Sequence, residues 1–472
     1  MKKLFIDGKW IDTGKTIDVT RPYDGSLIDT ICEVSVEQTQ TAIDAAFKAK
    51  DTMRKLTAAQ RSKILDNLSA LILRDQEEIA QIITAEAGKG LAFSRGEAGR
   101  TAENFKFAAD EARRLGGELV PYDASDSGAN RFGYFKRYPI GVVGAITPFN
   151  FPLNLVAHKV GPAIAAGNSI ILKPASSTPL TAVKLVELLL EAGLPECGIN
   201  LVVGSGTVVG NALVESDKIN MVTFTGSPGV GLGIKAKAGI KKVTLELGSN
   251  SAAIIHDDAE IKYAVPKCVI GAFANSGQVC ISIQRIYIQE NRYDEFRDMF
   301  VDAVKASSFG DPLSEKTLVG PMIDAKEAAR AEGWIKDAVA EGATIAVGGN
   351  RKGTMLEPTV IENTTETMTV IREELFAPVV CIMKYKTLDE VIARVNDSQF
   401  GLQAGIFTNN IQNAFHAIDE LEVGGVMVND MPTFRVDQMP YGGLKLSGTG
   451  REGPKFAIEE MTELKTVMIN LN

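Results

Sequence analysis

Val142-Val143-Gly144-Ala145-Ile146-Thr147-Pro148-Phe149-Asn150-Phe151-Pro152 is the stretch on which the reading of this chain turns. Five small or β-branched apolar residues stop abruptly at a turn bracketed by two prolines. A short unbroken apolar run bounded by turn residues is the pattern of a strand buried on both faces. Similar runs recur at 169–172, 199–203, 221–224 and 243–245, separated by helical patterns. Strand and helix in alternation predict βαβ units on a parallel sheet, an α/β fold of Rossmann-like kind. A second series at 252–255, 285–288, 343–347, 379–383, 405–407 and 426–428 predicts a second α/β domain, with the boundary near 246.

Upstream, residues 1–34 read as short strands and turns. Two helices then open with capping boxes, Ser35 with Gln38 and Thr57 with Gln60. Ile64, Leu65, Leu68, Leu71 and Ile72 follow at helical spacing, and a further amphipathic helix covers about 93–114, with Arg100 inside it. The stretch 116–138 reads as a projecting hairpin, and 465–471 alternates like an edge strand. With no evident sheet of their own, these two segments are expected to pair with another subunit.

Bulk composition narrows the function. A chain of 472 residues exceeds one ordinary core, so two or three domains are expected. Its net charge of -9 is unsuited to a nucleic-acid partner, which needs a basic face. No apolar run approaches the roughly 18 residues of a membrane span, and Asp7 interrupts the first apolar stretch too early for a signal peptide. Five cysteines without CxxC spacing and only three histidines point away from a disulfide framework and a metal centre. The expectation is a cytoplasmic, metal-free, soluble protein.

Ligands of open parallel sheets sit outside the carboxyl ends of the strands, so the chemistry should lie in the loops there. Gly204, Gly206 and Gly210 are spaced one residue too long for a dinucleotide fingerprint and serve equally well as turn residues. Gly226-Ser227, between a strand and a helix, is a better phosphate cradle, because the first helical N–H groups are free. Lys173 ends an apolar strand and reads either as a ligand contact or as a solvated terminus. Of the cysteines, Cys280 alone follows a turn, Asn275-Ser276-Gly277-Gln278, and so is the candidate thiol nucleophile; the others read as small core residues. Glu246, between Leu245 and Leu247, is a carboxylate with little water around it, either paired or held protonated.

Together these segments resemble the aldehyde dehydrogenase superfamily over essentially the whole chain. The resemblance rests on Pro148-Phe149-Asn150-Phe151-Pro152, Lys173-Pro174-Ala175, Phe224-Thr225-Gly226-Ser227, Glu246-Leu247-Gly248, Gly277-Gln278-Val279-Cys280 and Glu373-Glu374-Leu375-Phe376-Ala377-Pro378. It implies that Cys280 attacks an aldehyde, that Asn150 holds the oxyanion, and that Glu246 activates the water that releases the acid. Phe149, Lys173, Ser176, Gly226, Ser227, Leu247, Glu374 and Phe376 would contact NAD or NADP. The family's organisation implies a cofactor-binding domain at 1–115 and 139–245, a catalytic domain at 246–445, and an oligomerisation arm at 116–138 and 455–472 serving a homodimer or homotetramer. Ser176 stands where family members often carry a glutamate that repels the 2′-phosphate, which opens the site to NADP. Ser249-Asn250 replaces the usual Gly-Lys after the base, and Ala377 replaces a glycine.

Arg100 and Arg435 lie where the resemblance places the substrate funnel. Guanidinium pairs in two-pronged fashion with carboxylate, phosphate or sulfonate, so a small aldehyde with a terminal anion or hydroxyl is expected, of lactaldehyde, phospho- or sulfo-aldehyde type. Two salt-bridged surface arginines are the plainer alternative. A CoA-acylating relative is disfavoured by the presence of Glu246. A non-catalytic protein retaining the fold is disfavoured by the joint presence of Cys280, Glu246 and Asn150.

Overall fold

The computed structural model describes residues 1–472. Its first sheet has six strands in the order Gly448–Thr449, Lys242–Glu246, Met221–Thr225, Val142–Ile146, Ser169–Lys173 and Ile199–Leu201. All neighbours are parallel except the short Gly448–Thr449 strand, which runs antiparallel beside Leu245 and Glu246. From Val142–Ile146 the chain builds outward to one side, then returns to place Met221–Thr225 on the other. The crevice of this sheet therefore opens between the loops carrying Phe149-Asn150 and Gly226-Ser227.

The second sheet has seven strands, in the order Thr344–Val347, Thr359–Glu362, Val379–Tyr385, Arg285–Gln289, Ala252–Ile255, Gln403–Phe407 and Gly425–Val428. The chain crosses between the sheets over residues 247–251. Glu246 ends a strand of the first sheet, whereas Cys280 precedes the Arg285–Gln289 strand of the second. The carboxyl ends of one sheet thus face the amino ends of the other.

Both capping boxes form, at Ser35 and at Thr57. The Ala58–Arg74 helix buries Ile64, Leu65, Leu68 and Ile72 against Leu91–Arg114 and the helices beside it. A core of 65 buried residues surrounds the first sheet, and cores of 27 and 23 cover the second. No helix is long and apolar enough to cross a membrane.

Among the elements that the sequence reading does not include are helix Gln76–Ala87, strands Thr359–Glu362 and Gly448–Thr449, and helix Pro454–Glu460. The last packs on the first domain, with Ile458 and Met461 in its core, so of 455–472 only Thr462–Asn470 joins the arm. The two segments expected to lack a sheet pair with each other. Thr462–Asn470 lies antiparallel to Arg131–Pro139, and Gly117–Leu119 forms the other edge. Leu119, Phe132, Leu464, Met468 and Ile469 of this small sheet are exposed.

Candidate active site

The turn before Cys280 is built from conformations side chains avoid. Asn275 and Ser276 have φ of 52° and 57°, and Gly277 follows at 67°. A Cβ on Gly277 would lie 2.0 Å from the Ala377 carbonyl oxygen, so only glycine fits. Residues held left-handed cost of order 1–3 kcal/mol each and persist where surrounding contacts fix them. Here Ser276 Oγ donates to the Gly320 carbonyl (2.9 Å), and Gln278 Oε1 accepts from Ile323 N–H (2.9 Å). Asn275 Nδ2 donates to the Asn150 and Gln278 carbonyls at 3.2 and 3.3 Å. The result presents a half-buried Cys280 where two cavities meet.

Burial pushes the Cys280 thiol up to about 11, against the opposing pull of a hydrogen bond with Tyr441 and the charge of Arg435. Sγ and the Tyr441 hydroxyl are 2.9 Å apart, and the Arg435 guanidinium sits 3.6 Å from the centre of the tyrosine ring. Asn150 is buried, its Nδ2 donating to the Gln278 carbonyl at 2.9 Å and its Oδ1 without a partner. Both oxygens of Glu246 are buried without a hydrogen bond. Burial first, and the neighbouring charge of Glu452 second, push its carboxyl well above the usual range. An ionised carboxylate without partners is costlier to bury than the neutral acid, so its surroundings raise the affinity of Glu246 for a proton.

Around these three groups runs a chain of buried charges invisible as a motif. Lys159 Nζ donates to Thr225 Oγ1 (2.7 Å) and to Glu452 Oε1 (2.8 Å). Arg435 Nη2 donates to Glu452 Oε2 (3.0 Å) and lies 2.9 Å from His158 Nε2. Asp437 receives both Arg100 donors, at 2.8 and 3.1 Å, and also contacts His158 Nε2 at 2.9 Å. Burial would raise the Glu452 carboxyl, but Lys159 leads the positive charges that hold it below its ordinary range. The one sequence signal was a His-Lys pair inside an otherwise apolar helix, Asn154–Ala166, buried along its whole length.

The smaller cavity, about 280 Å³, is mostly apolar but has Lys89, Arg100 and Arg435 in its wall, with Cys280 at its inner end. Both expected arginines thus reach one space. Each is also paired with a carboxylate: Arg435 is nearly enclosed, whereas the Arg100 side chain is 37% exposed.

The larger cavity, about 560 Å³, is lined by Phe149, Asn150, Gly226, Ser227, Leu247, Glu374 and Phe376, and also reaches Cys280. Ser227 precedes the Pro228–Lys237 helix, whose first turn has no side-chain cap, so its N–H groups are available to an anion. Glu374 Oε1 accepts from Ser249 N–H at 3.0 Å, and burial pushes this carboxyl up to about 7. Phe149 and Phe376 meet edge to face, ring centres 6.0 Å apart. Free helix N–H groups, a carboxylate and aromatic walls in one groove fit the phosphates, ribose hydroxyls and ring of a nicotinamide dinucleotide.

Lys173 and Ser176 lie outside the lining of this cavity. Lys173 is buried with only the Pro174 carbonyl, 3.5 Å away, near its amine, and burial lowers it to about 8. Ser176 Oγ donates to the Gly204 carbonyl at 3.3 Å. A Cβ on Gly206 or Gly210 would meet open space, so no close backbone approach dictates glycine at either.

The aldehyde dehydrogenase family model matches residues 10–467. A 3-sulfolactaldehyde dehydrogenase of Priestia aryabhattai is 46% identical over 469 residues, covering 99% of this chain and 98% of the relative. Among solved structures, aldehyde dehydrogenase 21 of Physcomitrella patens, in complex with the reaction product succinate, has a TM-score of 0.97 at 41% identity, covering 100% of this chain and 98% of that one. Glyceraldehyde-3-phosphate dehydrogenase GapN of Methanocaldococcus jannaschii, complexed with NADP, has a TM-score of 0.93 at 41% identity, covering 96% and 99%. Two facing α/β sheets, a cysteine between two cavities and this likeness from end to end agree: the chain belongs to the aldehyde dehydrogenase family, whose enzymes are NAD(P)-dependent.

Proposed function

We propose that this enzyme oxidises a small aldehyde bearing a second, anionic group to the carboxylic acid, with Cys280 as nucleophile. The observation that carries this reading is the position of Cys280 at the junction of a dinucleotide-sized groove and a small cavity with cations in its wall. Sγ bonds to the aldehyde carbon as its proton passes to solvent through the open cavity, and the former carbonyl oxygen takes up charge. The Asn150 amide, fixed beside the Gln278 carbonyl, is the preorganised donor for that oxygen. When bound, the nicotinamide dinucleotide supplies the hydride acceptor; Gly226 and Ser227 would hold its phosphates, Glu374 a ribose, Leu247, Phe149 and Phe376 its ring, and Lys173 and Ser176 the adenosine end. Glu246 gives the site its base: in its ionised form, with a raised affinity for protons, it takes one from the water that opens the acyl–sulfur bond, and that proton passes to the departing Cys280 sulfur.

Three relatives support a second anion on the substrate, since sulfolactaldehyde, succinate and glyceraldehyde 3-phosphate each carry one beside the reacting carbon chain. Arg100, half-exposed at the small cavity, is the group best placed to meet it. Serine at 176 leaves room for NADP beside NAD, and the exposed apolar residues of the arm support a second copy as partner. The test is a panel of neutral, carboxylated, phosphorylated and sulfonated short aldehydes, each assayed with NAD+ and with NADP+. An anionic member should show the highest kcat/KM, by about tenfold or more over a neutral aldehyde of equal length. A neutral aldehyde at the head of the ranking would sink the substrate reading.

A further inference from the structure

Lys89 and Glu97 form an ion pair whose two side chains are both fully buried, in the wall of the small cavity. Burying two charges is expensive and adds little net stability over apolar packing, so the reason for such a pair is best sought in what it orients. Both carboxylate oxygens of Glu97 are committed. Oε1 accepts from the backbone N–H groups of Leu153 and Asn154, at 2.9 and 3.1 Å, and Oε2 from Lys89 Nζ. Those two N–H groups open the Asn154–Ala166 helix, which has no side-chain cap of its own. The Lys89 ammonium in turn lies 3.5 Å from the centre of the Phe151 ring, a cation–π contact. The loop 148–153 is thus held at Phe151 by Lys89 and at Leu153 by Glu97, and Asn150 adjoins the first of these contacts.

We infer that Lys89 and Glu97 are positioning residues that fix the Asn150 amide for the oxyanion, acting through the Phe151 ring and the Leu153 and Asn154 backbone. The inference rests on the reading of Asn150 as oxyanion donor. With Oε1 accepting two backbone N–H groups and Oε2 paired with the Lys89 ammonium, Glu97 is assigned neither the role of base nor that of ligand. Glu97→Gln keeps the volume but turns an amide donor or a neutral oxygen toward Lys89, which loosens the grip without opening a cavity. Displacing a catalytic donor by about 1 Å costs up to about a hundredfold in rate.

The experiment is a double-mutant cycle between Glu97→Gln and Asn150→Ala, using the aldehyde turned over fastest in the panel at saturating dinucleotide. Glu97→Gln alone should lower kcat about 10- to 100-fold with KM within about threefold. In the Asn150→Ala background, itself slower by about 100-fold or more, adding Glu97→Gln should cost less than about twofold. Equal losses in both backgrounds, or an unchanged kcat in the first, would overturn the positioning role. If Asn150→Ala alone keeps its kcat, the oxyanion reading fails, and the inference goes with it. Should Glu97→Gln yield no folded protein, Lys89→Met, which keeps both backbone bonds to Glu97 but removes the ammonium from Phe151, enters the same cycle with the same expected non-additivity.

Discussion

The Cys280 sulfur and the Tyr441 hydroxyl lie 2.9 Å apart, although 161 residues separate them in the chain. Burial pushes both groups upward in pKa, so at neutral pH the phenol is protonated and donates to the thiolate as it forms. Tyr441 therefore offsets part of the cost of ionising a buried thiol, in a site with no histidine at hydrogen-bond distance from the sulfur.

Tyr441→Phe removes that donor and nothing else of comparable size. The Cys280 thiol, already pushed up by burial, should then titrate higher still, and its alkylation by iodoacetamide at pH 8 should slow by about 3- to 10-fold. An unchanged rate-against-pH profile would show that the hydroxyl does not stabilise the thiolate.

Glu246→Gln separates acylation from release. A single turnover per site should survive as a burst of reduced dinucleotide, while the steady rate falls by about 100-fold or more. Loss of the burst itself would place Glu246 in the first half of the reaction. Stability has a definite sign as well. A carboxyl raised on folding makes the native state bind its proton more tightly, so that contribution is full below the ordinary carboxyl range and is lost as pH climbs toward the raised value. Glutamine does not titrate, and the melting temperature of Glu246→Gln should gain on the parent between pH 5 and pH 8.

Two glycines make opposite predictions. Gly277→Ala drives a Cβ against the Ala377 carbonyl from a left-handed backbone, and should cost about 3 kcal/mol or more, seen as a lower midpoint of denaturation or as insoluble protein. Gly206→Ala meets open space. It should leave stability within about 0.5 kcal/mol and leave KM for either dinucleotide unchanged; a large rise in that KM would restore the glycine-rich loop as a binding element.

Arg100, rather than Arg435, is the arginine whose replacement reports on substrate charge. Removing Arg435 strips Glu452 of one of its two cations and Tyr441 of its stacked guanidinium, so it disturbs the thiol as well. Arg100→Gln leaves Asp437 its contacts with Asn154 and His158. It should raise KM for the best anionic aldehyde by about 10-fold or more and change a neutral one by less than about twofold. Equal effects on both would return Arg100 to the role of a salt bridge.

The two sheets were legible because their central strands are buried on both faces, which leaves unbroken apolar runs between helices. Thr359–Glu362 escaped because its four residues, Thr-Val-Ile-Glu, begin and end polar. The thiol and the Gly226-Ser227 turn were legible because glycine and turn residues mark them locally. The charges that set the site's protonation were not. Lys159 meets Glu452 across 293 positions and His158 meets Asp437 across 279, and an ion pair that closes only on folding leaves no periodicity to read. The arm showed the same limit: alternation revealed two strands, but only the register of Thr462–Asn470 on Arg131–Pro139 shows that they are partners.

The Gly448–Thr449 strand, laid against Leu245 and Glu246, gives this enzyme an order of completion. During synthesis the thiol at Cys280 and the acid at Glu246 leave the ribosome long before Tyr441, Gly448 and Glu452. Until those last residues close along the edge of the first sheet, the sulfur has no phenol beside it and Lys159 no carboxylate. The chemistry is thus tied to an intact carboxyl-terminal segment: a chain cut short near residue 440 holds Cys280, Asn150 and Glu246 but lacks the phenol and the carboxylate that make them act together.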